Sequence, residues 1–464
     1  MTGTSTTGRA AVLTATTLGL TLSMFNSTIV NTTIPAIGPA FHASSSQLQW
    51  ISSLYTLCYA ALLLPGGAVG NRLGRRTAFL SGISSFAVGS LLCALAPTLA
   101  MLLAGRVVQA VGAAIMLPQT LTILVFEYAE PGARARAVGI WAGGASLGLS
   151  AGPVLGGVIV EVSTWRFGFG LSMLLALVTL VLGWWAIPAQ RHGPPAKAPA
   201  FDAIGACLSV VALTALVYGL IESSARGWGS PVILTALAVF VVALTAFLLR
   251  EHRLAAAGTP LMPLRLWHSG GFVAANVAAL CYFITFFAVL YFFSIDLQDV
   301  RGHSALVSGL AFLPMTLVMA ALGPVAGRLV AAYGAGRVLV LGLGIAAAGC
   351  LLLALVPDGS GLLDLGWRLA VTGAGAGLIS SPASTAAVSS LPAADSGSAS
   401  AVYNTIRQIG STLGVAAVGV IVGPTDAAGF VHGLDRAMEV LAGLLVLAGL
   451  LCVLLARGPR PTRD

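Results

Sequence analysis

Fourteen apolar runs dominate this chain, and each is long enough to cross a lipid bilayer. They fall at about 11–37, 48–70, 77–96, 99–126, 136–160, 168–188, 203–222, 231–250, 270–295, 305–331, 336–356, 366–390, 397–423 and 434–456. A membrane-spanning helix needs about 20 apolar residues, so fourteen spans of about 22 would take up roughly two thirds of the sequence. What remains is short loops, with no room for a separate soluble domain. The runs lack polar–apolar alternation and exceed the roughly ten-residue strands of a membrane barrel. The pattern predicts an all-α polytopic membrane protein with fourteen transmembrane helices.

The scarcity of charge agrees. Only 8% of the 464 residues are Asp, Glu, Lys or Arg, against 57% apolar; a soluble domain carries about 25% charged residues. A soluble enzyme, a nucleic-acid binder, a disordered chain and a disulfide scaffold are all excluded on this ground. Cys58, Cys93, Cys207, Cys281, Cys350 and Cys452 fall in six different runs with no CxxC pair. They read as small apolar fillers and not as disulfides or metal ligands. Arg9 precedes a run that continues as a long first helix without a small-residue cleavage site, so no cleavable signal peptide is expected.

The basic residues orient the chain. With the N-terminus inside, sixteen lie on the inner side: Arg9; Arg72, Arg75, Arg76; Arg134, Arg136; Arg191, Lys197; Arg250, Arg253, Arg265; Arg328, Arg337; Arg457, Arg460, Arg463. Five lie outside: Arg166, Arg226, Arg301, Arg368 and Arg436. Excess Lys and Arg marks cytoplasmic loops. The expectation is a plasma- or inner-membrane protein with both termini cytoplasmic. Arg191–Asp202, with three prolines, reads as a linker, and 251–267 as a second basic loop. The domain plan is a six-helix bundle over 1–190, a linker and inserted helix pair over 191–255, and a second six-helix bundle and tail over 256–464. Gly67–Arg76 after helix 2 is echoed by Gly323–Arg337 after helix 10; repeated halves are typical of secondary transporters.

Helix 5 carries the sharpest motif: Gly139, then Gly148, Gly152-Pro153 and Gly156-Gly157. Small residues at this spacing let a neighbouring helix approach closely, and Gly-Pro permits a bend. Here the sequence resembles the major facilitator superfamily, in its fourteen-helix drug:proton antiporter branch, and within that the methylenomycin-resistance type of exporter. The helix 5 pattern is similar to that superfamily's antiporter motif. Gly67 to Arg76, with Asn71, Arg72, Gly74 and Arg75, is similar to its helix 2–3 loop motif. Arg106, Gln109, Ala110 and Gly112 resemble the helix 4 arginine motif. Asn26 to Asn31 with Pro35, and Asn404, Arg407, Gln408 and Gly410, resemble the signatures of helices 1 and 13. The resemblance spans nearly the whole chain and implies alternating access by rocking of two bundles. Three positions depart from the family pattern: Asn26 and Asn71 stand where Asp is usual, and Ala110 where Gly is usual. Asn71 weakens a charge-relay role for the loop. Asn26 removes a proton-carrying candidate, because an amide does not titrate.

All fifteen acids fall towards span ends, whereas Arg106 and Arg407 lie within spans. Intramembrane charges face partners or water-filled cavities. Asn404, Arg407, Gln408 and Ser411 share one helix face, and Ser23, Asn26, Ser27 and Asn31 form a similar stripe on helix 1. Both stripes are expected to line a central substrate cavity with Arg106 and Gln109; polar contact between helices is the competing reading for the stripes, and a structural arginine bound to backbone carbonyls for Arg106. A cationic cavity with no central carboxylate favours neutral, carbonyl-rich or anionic cargo. Proton coupling is left to Asp296, Glu222 and Glu161, all near outer ends, with Asp296 foremost. Trp165, Arg166 and Trp228 read as interfacial anchors.

The GAGAG run at 373–377 follows no strand and lies in a membrane helix, so it reads as packing and not as a nucleotide loop. The expected function is export of small drug-like or antibiotic molecules by proton antiport, by a monomer with no cofactor, no metal and no nucleic-acid partner. Its partners are a small-molecule substrate, protons and the lipid bilayer. The alternative is uptake or uniport of a native metabolite on the same fold. A polytopic membrane enzyme would need a mid-depth cluster of carboxylates, histidines or a nucleophile pair, and the sequence offers none.

Overall fold

A computed structural model describes residues 6–128, 130–188, 202–257, 261–357, 360–391, 395–423 and 427–456. The Pro-rich linker from 191 lies outside them except for Asp202. All fourteen apolar runs are helical. In chain order the helices are α1 (Thr6–Phe41), α2 (Ser45–Leu73), α3 (Arg75–Ala94), α4 (Leu99–Glu127), α5 (Pro131–Val162), α6 (Arg166–Ala186), α7 (Ala203–Arg226) and α8 (Pro231–Ala257). They continue as α9 (Gly270–Ile295), α10 (Ala305–Ala311), α11 (Leu313–Tyr333), α12 (Ala335–Ala354), α13 (Leu362–Ser389), α14 (Ser396–Val422) and α15 (Ala427–Ala456).

Two differences from the sequence reading have local causes. The run at 305–331 is broken into α10 and α11 at Phe312, with Pro314 in the first turn of α11. Proline lacks an N–H and disfavours helix in the residue before it. Among the described residues, twelve spans rather than fourteen are long and apolar enough to cross a membrane, counting α10 and α11 together. Those outside the twelve are α1 and α2, of 36 and 29 residues. They have the length but carry polar side chains that the fold turns inward, including Ser23, Asn26, Asn31, Gln49 and Ser52.

Helix starts follow local chemistry. Ser44 and Gln47 close a reciprocal capping box on α2, and Thr98, Asp202, Ser269 and Ser304 cap α4, α7, α9 and α10 with side-chain oxygens. The two echoed glycine-rich segments share a turn geometry. Gly74 joins α2 to α3 at φ 84°, ψ 146°, and Gly334 joins α11 to α12 at φ 84°, ψ 151°. Glycine is the residue that reaches this conformation without a Cβ penalty.

Helices α1–α6 pack on one another, and α9–α15 do likewise, while α7 packs on α8, α2 and α14. α9 is buried along an unbroken stretch from Thr285 to Ser294, while Val273, Val277, Leu280 and Ile284 form one partly open stripe before it. Outward faces are apolar instead: Val181, Trp184 and Trp185 on α6, Val241, Val242 and Leu249 on α8, and Leu447, Leu450 and Leu454 on α15 are all exposed. Such a belt is stable against lipid and not against water. The chain is a multi-pass membrane protein. Arg72, Arg75, Arg76, Arg134, Arg136, Arg250, Arg253, Arg265, Arg328 and Arg337 gather at one end of the helices, here called the basic face. The six cysteines are free thiols.

Candidate functional site

Arg106, in the second turn of α4, is wholly buried. Its Nε donates to the Ile51 carbonyl at 3.2 Å, Nη1 to Gln109 Oε1 at 3.2 Å, and Nη2 to the Ser52 carbonyl at 3.5 Å. The Tyr55 ring lies 4.7 Å from the guanidinium. Gln109 Nε2 then donates to Ser90 Oγ at 2.8 Å and to Asn26 Oδ1 at 3.3 Å. Ser52 Oγ donates to Asn31 Oδ1 at 2.7 Å. One network thus ties α1, α2, α3 and α4 around a desolvated cation that makes three hydrogen bonds, without which burial in hydrocarbon would be costly. Glycines make the approach possible: Gly82 meets the Gly112 carbonyl of α4, and Gly89 meets the Gly105 carbonyl. Asn26, Asn31, Arg106 and Gln109 are all fully buried in this conformation.

Arg407 differs. It lies 11 residues beyond Ser396, the first residue of α14, so about 16 Å along the helix and near mid-membrane. It is partly buried. Nη1 donates to Asn404 Oδ1 at 3.2 Å, and the guanidinium lies 4.6 Å from the Phe283 ring and 5.8 Å from the Tyr403 ring. Nε is buried with no hydrogen-bond partner. Gln408, on the same face, reaches Tyr59 of α2.

The two halves of the molecule meet away from the basic face. In the far half of α5, a Cβ on Gly157 would strike the Ala305 carbonyl of α10, and a Cβ on Gly309 would strike the Pro153 carbonyl. Gln298 Nε2 donates to the Thr32 carbonyl at 3.1 Å, bridging the end of α9 to α1. On the other seam Thr412 Oγ1 donates to Thr56 Oγ1 at 2.9 Å, and Gly419 of α14 packs on Gln49 of α2. Towards the basic face the picture inverts. Gly139 and Gly143 of α5 and Gly323 and Gly327 of α11 have no heavy atom within 4 Å of where a Cβ would stand. The close approaches between these helices thus lie at the far face, while the four glycines nearer the basic face stand beside open space. Within α5, Gly148, Gly152 and Gly156 pack on Thr21, Thr28 and Ile29 of α1.

Comparison with known proteins agrees with this fold. Residues 16–415 match the family model of the Major Facilitator Superfamily. The chain belongs to the major facilitator superfamily. It is 33% identical to the methylenomycin A resistance protein of Streptomyces coelicolor over 94% of its own length and 90% of the relative's. It is 33% identical to the multidrug resistance protein Stp of Mycobacterium tuberculosis, covering 94% and 81%. With the tetracenomycin C resistance and export protein of Streptomyces glaucescens it shares 34% identity, covering 88% and 75%. Its fold superposes with a TM-score of 0.69 on an inward-facing, unoccupied bacterial homologue of the human lysosomal transporter Spinster, covering 98% of both chains at 17% identity.

Other sequence candidates of this facilitator take distinct places. In the loop motif, Gly67 packs near Pro118 and Gly74 makes the turn. Arg72 is exposed, Arg75 lies 4.1 Å over the Phe126 ring, and Arg76 donates to the Trp184 carbonyl at 2.6 Å. The side chain of Asn71 lies outside what the structure describes. The GAGAG glycines pack on α11 and α12, Gly373 and Gly377 on Met315 and Met319, and Gly375 on Ala346. Asp296 is buried and accepts from Arg301 Nε at 2.7 Å, in the π turn that also carries Gln298. Glu222 accepts from Trp50 Nε1 at 3.1 Å and pairs with Arg226 at 3.1 Å. Glu161 is exposed at the end of α5. The three carboxylates are not brought together.

The aromatic neighbours of the arginines, namely Tyr55, Tyr59, Phe283 and Tyr403, have no counterpart in the sequence reading. The one available signal was density: seven of the twelve residues 282–293 are Phe or Tyr.

Proposed function

We propose that this facilitator is an exporter of small drug-like or antibiotic molecules, driven by proton antiport. The observation that carries the reading is the one-sided closure, tight at Gly157–Ala305 and Gly309–Pro153 and loose at Gly139 and Gly323. A polytopic transporter with its halves closed at one face and parted at the other is in one of the two states alternating access requires. Relatives named for resistance and export support the cargo class and direction.

On this reading the basic face is cytoplasmic, both termini are cytoplasmic, and the state is inward-open. Residues 1–190 and 256–464 are the two rocking bundles of a monomer, and 191–255 hold the inserted pair. Asn26, Asn31, Arg106, Gln109, Asn404, Arg407 and Gln408 belong to the cargo pathway, with the first four sealed in this state. Cargo is neutral or anionic, because the central stretch holds arginine and no acid. Protons couple through Asp296, whose seam of Gln298 and Thr32 must part when the far face opens.

The test is transport in inside-out vesicles with an imposed pH gradient. Uptake of a resistance-type drug that the gradient drives and a protonophore stops is the expected result. Uptake indifferent to the gradient would refute antiport.

A further inference from the structure

Arg407 presents a cation near mid-membrane with its hydrogen bonding incomplete. Nη1 is held by Asn404 Oδ1, and Asn404 is itself fixed by donating from Nδ2 to the Ser400 carbonyl at 2.8 Å. Nε bonds to nothing. No carboxylate pairs with Arg407 among the described residues; the six ion pairs found there involve Arg9, Arg226, Arg250, Arg265, Arg301 and Arg368. Beyond the Asn404 bond, the compensation among the described residues is π contact with Phe283 and Tyr403, which is weaker than a charge-assisted bidentate bond. Arg106, by contrast, already donates from all three nitrogens to its own bundle.

Behind Arg407 stands an aromatic wall. Tyr282 lies 4.8 Å from Phe283 and 5.8 Å from Phe286, centroid to centroid, and Phe283 stacks on Phe287 at 6.3 Å. All four rings are buried, so they are held by packing rather than free to rotate away.

We propose that Arg407 is the specificity-determining residue for an organic acid with a flat aromatic body. Its Nε–Nη2 edge takes the carboxylate side-on, while Asn404 keeps Nη1 aligned. As the guanidinium turns towards the anion it uncovers the Phe283 ring, on which the aromatic body stacks. A neutral amide of the same shape keeps the stacking and loses the fork. A quaternary ammonium keeps the stacking and meets a like charge. The proposal deepens the export reading, on which it rests only for the direction of transport.

The test uses the full-length protein in nanodiscs, titrated calorimetrically with 2-naphthoate, 2-naphthamide and (2-naphthyl)trimethylammonium. The wild type is expected to bind the acid at least tenfold more tightly than the amide, with the ammonium weakest. Arg407→Gln should bring the acid to the level of the amide. Arg407→Lys, which keeps charge without the fork, should leave a preference of only a few-fold and serves if the Gln variant fails to fold. Phe283→Leu should weaken acid and amide by the same factor. Equal binding of acid and amide by the wild type, or a tenfold acid preference surviving in Arg407→Gln or undiminished in Arg407→Lys, overturns the proposal. Binding needs no gradient, so a vesicle assay without pH-driven export would refute the antiport reading and leave this result standing.

Discussion

Replacing Gly157 by alanine adds one methyl at the point where α5 meets α10. That methyl would stand 3.0 Å from both the Ala305 carbonyl carbon and the Leu306 Cα, and closer still to the Ala305 oxygen. The obstacle is backbone, so no rotamer change relieves it. Overpacking of this kind costs about 1–3 kcal/mol, and it is incurred only while the far face is closed. The helix-propensity gain of alanine over glycine, about 0.5–1 kcal/mol, applies in both states and cancels. The conformational equilibrium should therefore shift towards the opposite state by about 5- to 150-fold.

The assay is double electron–electron resonance on a cysteine-free variant with spin labels at Ser163 and Asp299, both exposed on the far face. Gly157→Ala should enrich the long-distance population. Gly139→Ala, where a Cβ meets nothing within 4 Å, should leave it unchanged. An unaltered distribution in Gly157→Ala, or an equal shift in both variants, would show that the seam is not the closing contact.

Further outcomes follow from the same geometry. Gly74→Ala and Gly334→Ala force a Cβ into φ 84° turns and should each destabilise by about 1–3 kcal/mol, read as a fall in melting temperature in detergent. Arg106→Lys keeps the charge but cannot reach Ile51, Ser52 and Gln109 together; a loss of about 2–4 kcal/mol is expected, and a melting curve equal to wild type would refute it. Asp296→Asn should abolish pH-driven uptake in inside-out vesicles while leaving drug binding intact; full gradient-driven transport would remove Asp296 as the coupling group.

The helices were readable because a bilayer leaves backbone polar groups no alternative to internal hydrogen bonding. A run such as 270–295 therefore matches α9 residue for residue. The break at Phe312 had its signal in Pro314, but an apolar run gives no weight to one proline. The polar stripe on helix 1 was visible as periodicity, yet its partners were not. Asn26 meets Gln109 across 83 residues, and Thr32 meets Gln298 across 266; such pairings arise only when helices cross. Arg106 and Arg407 looked alike as isolated charges in apolar runs. Their difference, one satisfied by carbonyls and the other left with an idle Nε, lies entirely in which backbone happens to pass by.

The position of α7 has a mechanical consequence. It packs on α2 from one half and on α14 from the other, with Leu57, Val217, Ile221 and Ala416 in one shared apolar cluster. A helix cannot keep contact with two bodies that separate. When α2 and α14 part, α7 must let go of one of them, and the Trp50–Glu222 bond fastens it to the α2 side. On the proposed rocking of two bundles, the α7–α8 hairpin is a third moving piece, bound to one bundle or the other at each stroke.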